Sequence, residues 1–179
     1  VGFSPPRRVY DGGLKPTLLI TALLCLGAGS AQDNAAELTG LFMQSCIRFA
    51  GNPPDLRTWA VGLGLHELPP QGEQAFLNGQ PGKVFDATNE VGKRVVVSGD
   101  SGACSAVGET ADGEAVVADL EQALRDNGIA FRLTQERDDS AEKALHQRSY
   151  LASKDTLQWQ ILVGTVLDKP GTAMLTALP

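Results

Sequence analysis

The sequence predicts an α+β fold: two N-terminal helices, then a mainly antiparallel sheet with one long helix packed on it. Three observations carry this. Apolar residues recur at helical spacing between residues 35 and 63. Alternating segments bounded by turn residues follow in series from residue 83 onward, and one strong helical stripe, Glu114 to Asn127, interrupts them. Strands in runs with helices set apart exclude the regular alternation of a parallel fold.

The first helix spans Ala35 to Ala50, with Leu38, Leu41, Phe42, Cys46 and Phe49 as one apolar stripe. Asp33 or Asn34 can cap its start and Gly51 can end it. The second opens at Asn52-Pro53-Pro54, Asn as cap and Pro at the first helical position, and buries Leu56, Trp59, Ala60 and Leu63. Residues 65–82, rich in Pro, Gly and Gln, read as a connector with one turn at Gln74 to Leu77.

Strands begin after the connector. Lys83 to Asp86 is a weak strand, and Lys93 to Ser98 and Ala103 to Gly108 flank the tight loop Gly99-Asp100-Ser101-Gly102 as a hairpin. In Glu114 to Asn127, Val116, Val117, Leu120 and Leu124 face inward. Acids lead that helix, Arg125 sits near its end, and Asn127-Gly128 stops it. Phe131 and Leu133 suggest a strand, and Gln135 to Glu142 a charged loop. A meander closes the chain: Lys143 to Ala152, a turn at Ser153-Lys154-Asp155, the alternating Leu157, Trp159, Ile161 and Val163, a turn at Pro170-Gly171, and Ala173 to Leu178.

The N-terminus reads as a secretory signal peptide, residues 1–31, ahead of one α+β domain, residues 32–179. Arg7, Arg8 and Lys15 form a basic region, Leu18 to Leu26 an apolar run, and Gly29-Ser30-Ala31 the small residues before a cut between Ala31 and Gln32. Spanning a bilayer takes roughly 20 apolar residues, so the run is too short for an anchor. Val9-Tyr10-Asp11-Gly12 is a poor continuation for a twin-arginine signal, and Leu23-Leu24 before Cys25 does not suit a lipoprotein. The chain opens on Val1 and has no Met before Met43. An alternative start codon explains that, as does an overextended reading frame that leaves residues 1–13 untranslated.

Of 179 residues, 42% are hydrophobic and 20% charged, the composition of a globular chain. There are 15 Lys+Arg against 21 Asp+Glu, a net charge of −6. Residues 1–31 hold three of those bases and one acid, so residues 32–179 keep 12 and 20, a net −8. An acidic chain without a basic cluster argues against nucleic acid and anionic lipid as partners. Two histidines and three cysteines are too few for a usual zinc site. Asp138-Asp139 and Asp112-Gly113-Glu114 lack the spaced ligands of a calcium loop, and no phosphate loop or dinucleotide fingerprint occurs. No metal or cofactor is expected.

Cys25 leaves with the signal peptide. Cys46 and Cys104 remain, and an even count in an oxidising compartment reads as a disulfide. The chain-entropy model gives a loop of that length roughly 4 kcal/mol of stabilisation.

Two catalytic readings compete with a purely structural one. Gly99-Asp100-Ser101-Gly102 matches the nucleophile motif of chymotrypsin-like proteases, and His66, Asp86 and Ser101 follow that family's chain order. The chain is too short for two six-stranded barrels, however, and a polar four-residue turn uses the same residue types. Pairing Cys46 with His146 suggests an exported cysteine hydrolase, but a thiolate deep inside a helix lacks the usual activation at a helix N-terminus.

The segments Leu41-Phe42-Met43-Gln44-Ser45-Cys46, Trp59, Gly102-Ala103-Cys104 and the Trp159 strand resemble a group of small, uncharacterised exported proteins of proteobacteria over roughly residues 36–178. The resemblance implies an exported compartment and a disulfide, and no activity. The expectation is therefore a periplasmic or secreted, non-enzymatic module that binds a protein or envelope ligand, without a stable membrane span after cleavage. A polar face of the meander (His146, Arg148, Gln158, Gln160) is its expected contact surface. The alternative is a small exported hydrolase using Cys46/His146 or Ser101/His66.

Overall fold

The computed structural model describes residues 30–139, 145–166 and 170–179. The basic and apolar parts of the expected signal peptide lie outside them. Helix α1 (Ala31–Phe42) starts four residues earlier than its apolar stripe suggests, because Ser30 and Asp33 form a capping box. Ser30 Oγ accepts from the Asp33 backbone at 3.0 Å, and Asp33 Oδ2 accepts from the Ser30 backbone at 2.9 Å. Asn34 turns inward instead of capping, and donates to Thr110 Oγ1. The Ala31–Gln32 bond thus lies in the first turn of α1.

Beyond Phe42 the helix widens into a π-turn, Met43–Ile47, with Arg48 N donating to Met43 O. Helix α2 (Pro53–Gly62) has the expected Asn52 cap and N-terminal prolines. Leu56 and Ala60 are buried, while Leu63, expected inside, is 58% exposed. The connector holds more structure than its composition suggests: a short β1 (His66–Glu67) and helix α3 (Pro70–Leu77). Pro69-Pro70 starts that helix and Asn78 ends it in a left-handed conformation.

Strands β2 (Gly82–Asp86), β3 (Arg94–Gly99) and β4 (Cys104–Ala111) follow, then helix α4 (Gly113–Asp126) capped by Asp112. Strands β5 (Ala130–Asp139), β6 (Leu145–Lys154), β7 (Leu157–Val166) and β8 (Gly171–Leu178) complete the chain. Residues 135–139 are strand, not the expected charged loop. Their charges serve cross-strand pairing, since Glu136, Arg137 and Asp138 face Arg148, Gln147 and His146 of β6.

All eight strands form one antiparallel sheet in the order β1-β2-β3-β4-β8-β7-β6-β5. The chain works inward from one edge to β4, crosses to the far edge through α4, and meanders back until β8 seats against β4. Helices α1 and α4 pack on each other and cover one face. Leu38, Phe42, Val116, Leu120 and Leu124 from the helices meet Val96, Ala106, Tyr150, Ile161 and Leu175 from the strands in this core. The architecture is α+β, with one more helix than expected. Cys46 in the π-turn is disulfide-bonded to Cys104, the first residue of β4, across a Cα–Cα distance of 5.2 Å. No helix among the described residues is long and apolar enough to cross a membrane.

Candidate binding groove

Among the described residues, the second face of the sheet is covered only at its β2 end, by α3. Alternation along β3, β4, β8 and β7 places Val97, Val107, Met174 and Leu162 on this open side, opposite the core residues Val96, Ala106, Leu175 and Val163. Register brings them together: Val107 faces Met174, and Leu162 faces Thr176, whose hydroxyl is hydrogen-bonded to that of Ser105 at 2.8 Å. They floor a groove of about 770 Å³, walled on one side by Ala75 and Phe76 of α3. On the other side stand Gln135, Arg137, Gln147 and Gln160.

Gly82 lets α3 approach the sheet, because a Cβ there would stand 2.8 Å from Leu77 Cδ2 and 2.7 Å from Ser98 O. Arg137 is fixed across the strand pair, its Nε donating to Gln147 Oε1 at 2.9 Å. Met174 is 44% exposed and Phe76 36%, high values for large apolar side chains on a sheet and its wall. Among the described residues, Arg137 lines the groove from the open face and no Asp or Glu does. In a chain of net charge −6 this is a concavity of opposite character, an apolar floor beside a cationic rim.

The expected contact surface divides between the two faces. Gln160 lines the groove. His146 and Arg148 pair with Thr165 and Val163, odd-numbered β7 positions on the helix-covered side. There Arg148 Nε donates to Glu136 Oε1 at 2.7 Å, His146 Nδ1 pairs with Asp138, and His146 Nε2 lies 2.9 Å from Glu136 Oε1. Arg148 chiefly, with His146 assisting, holds the Glu136 carboxyl below its ordinary value. These are closed local pairs, and they leave a cross-strand ionic ladder rather than an open recognition face.

The two catalytic readings separate in space. Cys46 is fully buried and oxidised, so it has no thiolate to offer His146, which lies three strands from Cys104 along the sheet. Ser101 lies in the turn after Gly99, beside Gly82, whereas His66 pairs with Asp86 at the other end of β2. Four residues of strand place them about 13 Å apart along that direction, beyond any nucleophile–base hydrogen bond. Asp86 is held below its ordinary value by the Thr88 side chain and backbone first, with His66 a lesser cause. No group of three or more His, Cys, Asp or Glu among the described residues is placed to hold a metal ion.

The groove floor was visible in part as Val95-Val96-Val97, an unbroken apolar run that marks a strand covered on both faces. Phe76 was not, because α3 buries no residue completely and so shows a weak stripe. The chain matches no family model, no curated protein and no solved structure.

Proposed function

We propose that the chain is an exported, non-enzymatic binding module, stapled by its disulfide, that captures an extended acidic–apolar segment of an envelope protein in the groove. The groove carries the reading. The groove crosses the sheet from β3 to β5, five strand spacings or about 24 Å, the length of roughly seven extended residues, with an apolar floor from β3 to β7 and a polar end at β5. A segment of that kind lays alternate side chains on the floor, while its carboxylates meet Arg137 and, among the described residues, no opposing acid.

The Cys46–Cys104 bond is compatible with an oxidising compartment. The signal-peptide pattern and the resemblance to exported proteobacterial proteins support the same localisation. A buried disulfide in place of a thiol, and a serine remote from its histidine, support binding over hydrolysis.

Fluorescence polarisation with a labelled heptapeptide alternating Leu and Glu tests this, with its Leu/Lys counterpart as control. The acidic peptide is expected to bind, and Met174→Lys or Arg137→Glu to weaken it at least tenfold. Equal binding of both peptides, or of neither, would remove the groove from the proposal.

A further inference from the structure

A second pocket, of about 350 Å³, lies between α1, the end of α2 and the turn joining β2 to β3. It is on the helix-covered side of the sheet and separate from the groove. Leu41, Trp59 and Leu63 form its apolar wall, and Glu37, Asn89 and Arg94 its polar one.

Arg94 opens β3 on the buried face, and its side chain is 3% exposed. Neither Nη1 nor Nη2 has a hydrogen-bond partner among the described residues. The neighbouring Glu37 carboxylate stays 3.6 Å from Nη2 and accepts instead from Asn89 Nδ2 at 3.3 Å. Burial pushes the Arg94 guanidinium below its ordinary value, and Glu37 restores it only in part. An arginine remains charged in a protein, so a buried guanidinium whose two Nη atoms find no hydrogen-bond acceptor among the described residues, with Glu37 only at ion-pair distance, leaves donors for a further acceptor.

Gly40 adds an independent observation. It sits mid-helix on the pocket wall, and a Cβ there would meet nothing within 4 Å. The helix forgoes a better helix former at a position that borders the pocket.

We propose that this pocket binds a medium-chain carboxylic acid, its carboxylate received by Arg94 and its apolar body by Leu41, Trp59 and Leu63. The planar fork of Arg94 matches a carboxylate in two parallel hydrogen bonds, and Glu37 at 3.6 Å disfavours an anion of higher charge. The volume admits on the order of ten heavy atoms at about 30 Å³ each. That is the size of octanoate.

The full chain carrying Trp159→Phe leaves Trp59, on the pocket wall, as its one tryptophan. Titration with sodium octanoate is expected to change Trp59 emission saturably. Octan-1-ol should bind at least tenfold more weakly and inorganic phosphate not at all. Arg94→Met and Gly40→Leu, checked for folding by thermal melting, should each weaken octanoate at least tenfold. No saturable response, an equal response to octanol, or full affinity in either folded variant would overturn the proposal and leave ordered water as the partner of Arg94. Should Arg94→Met fail to fold, Gly40→Leu decides, since its side chain enters empty space.

Discussion

Tyr150 of β6 is 1% exposed and donates its hydroxyl to Glu121 Oε1 of α4 at 3.1 Å. Burial first, and Glu121 second, push its ionisation up to about 12. An acid whose folded value lies above its unfolded value near 10 keeps its proton longer in the native state. Its contribution is therefore whole below pH 10 and is lost as pH climbs from about 10 to 12. The loss is on the order of 2 kcal/mol. In a chain carrying Tyr10→Phe, absorbance at 295 nm should show Tyr150 ionising late and together with unfolding; a transition at pH 10 in that folded protein would deny the Glu121 contact. Single residues differed in how legible they were. Cys46 and Cys104 could be paired from their count, because a disulfide needs only two sulfurs and an oxidising milieu. Arg94 could not, because an arginine at a strand start normally points to water. Only the register of β3 against β4 turns it under α1.

Among the elements, α4 and the β3–β4 hairpin were readable because their apolar residues face one core with no competing demand. Helix α3 and the end of β5 were hidden for opposite reasons. The first is Pro-flanked and lies on the half-open face, so no residue is fully buried. The second pairs through ions, so its alternation is of charge and not of hydropathy. The start of α1 is hidden because its first turn adds nothing to the apolar stripe, and Asp33 and Asn34 are as good cap residues as Ser30. The order of the strands was never local information, since β8 reaches β4 only after α4 and three strands intervene. Gly40 supplies an expectation at this scale. Gly40→Ala removes a mid-helix glycine without a clash and should stabilise the protein by about 1 kcal/mol. That is a rise of roughly 2–4 °C in Tm for a chain of this size, read by thermal unfolding. A fall in Tm would mean that the helix needs glycine there for packing.

Across the whole molecule, one sheet separates two surfaces with different work. The covered face holds the core, the staple and the Arg94 pocket. The other carries the apolar groove with its arginine rim. The disulfide joins the π-turn of the first helix to the first residue of β4, beside the sheet's central β4–β8 pair. It closes α2, α3 and the three strands β1 to β3 into one covalent loop. Restraining a loop of that length adds stability of roughly 4 kcal/mol in the chain-entropy model, a large part of the 5–15 kcal/mol typical of a domain. It also removes the sulfur that a cysteine hydrolase would require. Thiol titration in denaturant, on protein purified without reductant, tests both consequences together. One free thiol per full-length chain (Cys25), or none once residues 1–31 are absent, is expected for a stapled binding module. Three thiols, or two in the shortened chain, would contradict the staple and return Cys46 to the reactive candidates.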